Sequence, residues 1–462
     1  MEPPPPCCAR LPAVREPGNV SCNAPLQMGR NMRFDLPGRS RTVNWLAGIG
    51  ILVSACTGEP VIDSMSVSRD SAGINIAESR QPRFSGDQSW AISATPDVRI
   101  GAAEGDSTQM LFRVTAAVQL ADGRVVIAHG ASPLLRWYSA DGRFLHGTGR
   151  PGGGPGEFGG EGARIQPLWP LEADSVAAWE HSARRMQVFD PSGRFTRSVT
   201  LDIPPNMHGL SYPQVVGILD RGFIVHVRKP YQVGPLGQVS RDTLTYYRYN
   251  DDGSFVDEIA KLPGYTSFTQ EVTRGGRTFP LEGRLPFGPG PHAWTYRDRF
   301  YYGSGDRFEI SVFDAGGQLL QLVRRSEGAR ELGPDLIEAY KRQRMANLPP
   351  DAATGRIERV LDNVPYPDST PAHARIRVDR EGMLWVEEYA PPNASTIAWS
   401  VFDGSGAWLT DVMIPSGLDL LEIGRNHILA VVRDELDVEY VHRYRLVGRQ
   451  DSYSSAAVSE GR

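Results

Sequence analysis

One seven-residue pattern recurs five times in this chain: Tyr138-Ser-Ala-Asp-Gly-Arg-Phe144, Phe189-Asp-Pro-Ser-Gly-Arg-Phe195, Tyr249-Asn-Asp-Asp-Gly-Ser-Phe255, Phe313-Asp-Ala-Gly-Gly-Gln-Leu319 and Phe402-Asp-Gly-Ser-Gly-Ala-Trp408. Each copy reads as a hairpin. An aromatic residue ends one strand, a short polar side chain opens the turn, glycine takes a positive φ, and an apolar residue begins the return strand. A sixth copy, Tyr444-Arg-Leu-Val-Gly-Arg-Gln450, keeps the aromatic and the glycine. Upstream of each copy lies a second pair of apolar segments, such as Val215 to Val227 and Ala374 to Val386, so one unit is four short strands. Six such units predict an all-β fold, a six-bladed β-propeller of four-stranded blades over residues 86–450.

The sixth unit runs out after its third strand, because residues 451–462 form a small, polar tail. Ser89 to Ile100 precedes the first full unit and is a spare strand. The expectation is that it completes the last blade near Val438 to Leu446, closing the ring and removing an open sheet edge.

All four cysteines, Cys7, Cys8, Cys22 and Cys56, precede residue 57, which excludes cysteine nucleophiles and cysteine-held metals from the repeat region. Arg30, Arg33, Arg39 and Arg41 make a basic segment, Trp45 to Val53 an apolar one, and Val53-Ser-Ala-Cys56 follows. That order reads as a lipoprotein signal over 28–56 with Cys56 as the lipidated residue, stable anchoring needing the two acyl signals this processing supplies. Residues 1–27 read as an over-extended start ahead of Met28 or Met32, and 57–85 as a linker and lead-in. The formal charge of −5 over 462 residues gives no basis for a nucleic-acid partner.

The chain resembles a family of six-bladed propeller lipoproteins from environmental bacteria, related to NHL-repeat proteins. The resemblance spans roughly residues 60–450 and is carried by the Asp70-Ser-Ala-Gly-Ile-Asn-Ile76 lead-in, the Gly149-Arg-Pro-Gly-Gly-Gly-Pro-Gly-Glu-Phe158 loop and the repeated hairpins. It implies a fold and an envelope location, with outer-membrane attachment favoured. It does not imply an activity, because the wider group mixes scaffolds, binders and a few enzymes.

Function is expected on the rim that carries the connections between units, which are long: Gly147 to Pro167, Pro204 to Pro213, Pro263 to Pro291 and Ser326 to His373. The first contains a formal G-x-G-x-x-G at Gly154, Gly156 and Gly159, but Ala163-Arg-Ile-Gln-Pro-Leu-Trp-Pro follows and cannot supply the helix N-terminus that phosphate binding needs. Its glycines are read as sharp turns, with Arg150 and Glu157 either lining the channel or pairing with each other. Tyr212 on the second connection is a further candidate ligand contact. The fourth connection holds the one convincing helix, over 334–345, placed either as a lid on the channel or against the side of a blade.

His292 and His373 each lie six residues before a turn aspartate, Asp298 and Asp379, and the same count from Asp220 gives Gln214. Equivalent positions converge on the channel, so these three are the candidate ligand and metal residues, with zinc or calcium as the ion; nothing else in the chain implies a cofactor. The family resemblance adds that an NHL-type amidating lyase uses channel histidines for zinc. No G-x-S-x-G elbow, His-Glu-x-x-His or EF-hand loop occurs. Trp137, Trp179, Trp294, Trp385, Trp399 and Trp408 are read as core.

The leading expectation is a non-enzymatic propeller, lipid-anchored in the envelope and facing the periplasm, that binds a peptide, glycan or protein partner on its long-loop face. The alternatives are a metal-dependent lyase or hydrolase at the channel, or a purely structural subunit. Substituting Cys56→Ser is expected to shift the protein from the membrane to the soluble fraction or to block its processing. Identical fractionation and mobility of the two forms would contradict the anchor.

Overall fold

The computed structural model describes residues 65–130, 133–159, 165–181, 183–204, 213–228, 233–274, 277–348 and 354–449. Cys56 and the signal segment, Tyr212 and the polar tail lie outside the described residues. The compact unit that begins at Ile62 is all-β and propeller-like, with six sheets and two helices among those residues.

In chain order the first strands are β1 (Ser66–Ser71), β2 (Ile74–Ser79), β3 (Ala91–Ile92) and β4 (Val98–Ile100). The first sheet follows as β5 (Val114–Gln119), β6 (Val125–His129), β7 (Leu134–Tyr138) and β8 (Phe144–Thr148). The second is β9 (Ile165–Pro170), β10 (Val176–Glu180), β11 (Arg185–Phe189) and β12 (Phe195–Thr200). The third is β13 (Gln214–Ile218), β14 (Phe223–Arg228), β15 (Val239–Tyr249), β16 (Phe255–Arg274) and β17 (Arg277–Arg284). The fourth contains β18 (His292–Tyr296), β19 (Arg299–Gly303), β20 (Glu309–Asp314) and β21 (Leu319–Arg325), and helices α1 (Pro334–Ala346) and α2 (Thr354–Asp362) come next. The fifth is β22 (Arg375–Val378), β23 (Leu384–Glu387), β24 (Thr396–Phe402) and β25 (Trp408–Pro415), and the sixth contains β26 (Asp419–Ile423), β27 (His427–Arg433) and β28 (Glu439–Val447).

The repeated hairpins form as their chemistry dictates. Asp190, Asp314 and Asp403 each accept, through Oδ1, the backbone N–H groups two and four residues on, at 2.8–3.0 Å. The glycines that follow, Gly142, Gly193, Gly253, Gly317 and Gly406, all lie at φ between +80° and +87°. A second constraint was not legible in the repeat itself. Gly193, Gly253, Gly317 and Gly406 abut the fourth strand of the preceding sheet: a Cβ on Gly253 would run into the Thr200 carbonyl oxygen, and one on Gly317 into that of Ile259. Gly142 makes the same approach to Arg99 of β4 at 2.9 Å.

Residues 89–100 pair with β28 as expected. Ile100, Arg99 and Val98 face Val441, His442 and Arg443, and Ile92 and Ala91 of β3 face Leu446 and Val447. The Asp97 and Ser93 N–H groups add bonds to the Arg443 and Arg445 carbonyls at 2.9 and 2.8 Å. Apolar clusters fill the space between sheets. One joins Val98, Ile100, Leu429, Val431 and Val441 to Ala117, Val125, Ile127 and Tyr138 of the first sheet. Trp137, Trp179, Trp385, Trp399 and Trp408 are buried in these layers as expected, and Trp294 is half-buried.

Three segments differ from the sequence-based expectation. Residues 66–79, read as lead-in, form the β1–β2 hairpin, with β2 adding parallel to β21 through Asn75–Ser79 against Gln321–Arg325. Pro263 to Pro291, read as a connection, is largely sheet, because β16 continues through Arg274 and returns as β17 in register from Ser267↔Arg284 to Arg274↔Arg277. A second helix, α2, follows α1, which itself begins at Pro334 as expected.

Trp90 is only 2% exposed and packs among Trp385, Trp399, Tyr444 and Leu446. Removing it in Trp90→Ala should cost about 3–5 kcal/mol, as for other buried tryptophans, measured by denaturant unfolding. A change within about 0.5 kcal/mol, typical of surface sites, would contradict the packing of this segment on the last sheet.

Candidate functional site

The Gly147–Gly159 connection satisfies its own polar groups. Glu157 pairs with Arg150 at 2.5 Å and accepts the Gly154 N–H at 2.9 Å, contacts that hold its carboxyl below the usual range, the backbone bond first. Gln187 accepts the Gly156 N–H at 2.9 Å and donates to the Glu157 carbonyl at 2.7 Å. Arg185 donates to the Gly153 and Glu157 carbonyls at 2.8 and 2.7 Å, and Glu180 accepts the Gly159 N–H at 2.6 Å. Phe158, fully buried beside Phe189, pins the loop. With the N–H groups of Gly154, Gly156 and Gly159 occupied, no phosphate cradle remains, and Arg150 and Glu157 form the turn-stabilising pair.

His292 opens β18, and His373 lies two residues before β22 rather than on it. Their ring centroids are 5.1 Å apart with planes at 65°. His373 has no solvent exposure, neither of its ring nitrogens has a hydrogen-bond partner, and it lies against Gly303, where a Cβ would come within 2.7 Å of Nε2. Gln214 opens β13 as counted, but it lines a separate cavity of about 220 Å³ with Gln166, Trp179 and His181. The structure therefore brings the two histidines together and leaves Gln214 and Glu157 elsewhere. Among the described residues no group of three or more His, Cys, Asp or Glu is close enough to hold a metal ion.

The histidine pair borders a cavity of about 180 Å³ lined also by Tyr265, Arg284, Pro371 and Tyr389. Arg284 is shared with a second cavity of about 380 Å³ lined by Phe268, Tyr340, Ile357, Leu361 and Val364. Phe268, Gln270, Glu271 and Val360 are shared in turn with a third, of about 620 Å³. Three walls build this groove. The β16–β17 hairpin supplies one, α2 turns Ile357, Val360 and Leu361 towards it, and α1 contributes Tyr340. Tyr340, Tyr366 and Tyr389 surround Phe287 at centroid distances of 5.1, 6.0 and 5.9 Å, which seats α1 beside the histidine cavity that Tyr389 also lines. Lys341 of α1 bonds Asp362 of α2 at 2.9 Å.

Sequence reasoning found the histidines and missed Tyr265, Phe268, Arg284, Tyr389 and α2. The signals existed. Phe268, Gln270 and Val272 face Gly283, Leu281 and Phe279 across a hairpin whose sequence carries Gly275-Gly276 between its arms, and Ile357, Val360 and Leu361 have the spacing of one helix face.

No family model and no curated protein matches the chain. Among solved structures, an exported protein from Bacteroides fragilis is 12% identical, with a TM-score of 0.43 over 80% of this chain and 99% of its own. A member of a family of unknown function from Bacteroides vulgatus is 10% identical, with a TM-score of 0.45 over 78% and 99%. Virginiamycin B lyase from Staphylococcus aureus is 11% identical, with a TM-score of 0.35 over 78% and 100%. All are propeller-like folds, and the likeness is one of fold.

Burial lowers the His373 pKa from 6.5 to about 4. Burial, then His373, Arg284 and Arg375, lower that of His292 from 6.5 to about 3. Below pH 6.5 the unfolded chain takes up protons that the folded protein refuses, so stability falls as pH drops from 6.5 towards 4. Each such histidine contributes a slope of about 1.4 kcal/mol per pH unit. His129 and His226, also lowered to about 4, act in the same sense. Urea unfolding between pH 7 and 5 should show this slope, flattened in His373→Gln by up to one histidine's share. An unchanged slope in the variant would contradict a buried neutral His373.

Proposed function

We propose that the six sheets are the blades of one closed ring, held in the cell envelope by lipid on Cys56, and that its groove binds an extended peptide or protein segment. Ring closure is supported by the clusters joining each sheet to the next and the sixth to the first. It is supported equally by the outermost position of β4, equivalent to that of β8 and β12. The envelope location rests on the basic, apolar and Val53-Ser-Ala-Cys56 order. No helix among the described residues is long and apolar enough to cross a membrane.

The observation that carries the binding reading is the groove itself, three cavities sharing walls and ending at a buried histidine pair on the rim with the longest connections. Its walls favour peptide over glycan. Phe268, Ile357, Val360, Leu361 and Val364 offer aliphatic and aromatic packing for side chains, Leu236 at the outer cavity is 56% exposed, and Phe279 and Leu281, the cross-strand partners of Val272 and Gln270, are 39% and 44% exposed. Isolated surface apolar residues are ordinary, but several beside one groove mark an interaction site.

Val360 lines both larger cavities and is only half-buried, so Val360→Trp should fill the groove without disturbing the blades. In a thermal-shift screen, pools of short peptides should raise the melting temperature of the native protein, in proportion to binding of the folded state, and leave that of Val360→Trp unmoved. An equal response of both proteins, or none from the native protein, would overturn the reading.

A further inference from the structure

We propose that the inner end of the groove, beside His292, is a carboxylate site that takes the free carboxyl terminus of the bound peptide; this rests on the peptide-binding reading above. The site has a cation without an anion. Two guanidinium groups lie on the Tyr265 ring, that of Arg228 at 5.5 Å and that of Arg284 at 4.0 Å from its centroid. Arg228 is ion-paired to Asp242 and lies 3.9 Å from Glu282. The Arg284 guanidinium makes no hydrogen bond or ion pair with any described residue; no described aspartate or glutamate lines the 180 Å³ cavity it shares with His292, and Glu271 is on the larger cavity beyond.

The neighbouring groups fit the same ligand. Arg375, on the strand that follows His373, is already neutralised by Glu387 and by Asp419 at 3.3 Å, so it does not compete for the incoming anion. Tyr265 fixes the plane of the Arg284 guanidinium, and a planar guanidinium so held presents the two parallel N–H groups that match a carboxylate. His292 can donate from a ring nitrogen to the second oxygen, while the fully buried His373 ring holds it in place from behind. Its role is positioning. A cavity of about 180 Å³ has room for a carboxylate and the residue that carries it. With its carboxylate on Arg284, the peptide would end here and lay its preceding residues in the cavity lined by Phe268, Ile357 and Leu361, which Arg284 also borders.

The test is calorimetry on the full chain with an N-acetylated, leucine-rich tetrapeptide in two forms, free acid and C-terminal amide, and with glucuronate and inorganic phosphate as separate probes. The acid should bind at least tenfold more tightly than the amide, and Arg284→Met should abolish that preference, so that acid and amide bind alike. Arg284 is exposed, so this variant should fold normally. Equal affinity of acid and amide, or an acid preference that survives Arg284→Met, overturns the carboxylate site while leaving the groove intact. Tighter binding of glucuronate or phosphate than of the acid peptide overturns the peptide-terminus assignment in favour of another anion. Loss of both peptide forms in Val360→Trp supports the groove, and binding of neither form by the native protein overturns both proposals.

Discussion

The structure depends on how the last sheet obtains its outer strand. A single sheet cannot bury its own two faces and must pack against neighbouring sheets, so the last sheet needs its full complement of strands. β26 to β28 supply three. Without β3 and β4, the backbone of β28 would be an open edge, and the Val98, Ile100 and Val441 layer against the first sheet would be lost. A pairing between residues over three hundred positions apart therefore holds the first and last units together. It is non-local, so its loop-closure entropy must be met before the contact stabilises the fold.

The same architecture explains where the groove lies. Turns within the repeats are short and tied by aspartate side chains, leaving no room for a site there. The connections that follow the third and fourth sheets have no such restraint, and both are elaborated, one into the β16–β17 hairpin and the other into α1 and α2. They lean over the starts of β18 and β22, where neighbouring blades already bring two histidines to a centroid distance of 5.1 Å. The blades thus fix the inner end of the groove, and the insertions build its walls.

Legibility in the sequence followed the range of the forces. The Asp-x-x-Gly turns were readable because each is satisfied within five residues, by Oδ1 of its own aspartate and by a positive φ. Equivalent positions along the repeat brought out His292 and His373 as a pair. What remained hidden depended on contacts between distant segments. Pro263, Pro280 and a Gly275-Gly276 step made the β16–β17 hairpin look like a loop, and its strand character depends on β15 running alongside through Val239↔Phe268. β1 and β2 are recruited by the free edge of β21, which no local pattern announces. Arg284 looked like one arginine among many; that no described aspartate or glutamate lines the cavity it shares with His292 is visible only in the folded chain.

The most direct test of the closed ring is amide hydrogen exchange resolved to single strands under native conditions. The account predicts that the amides of Val98, Arg99 and Ile100 exchange together with those of β27 and β28, at the rate set by global unfolding. Exchange of residues 98–100 at a rate typical of a frayed terminus, while β27 and β28 stay protected, would contradict it.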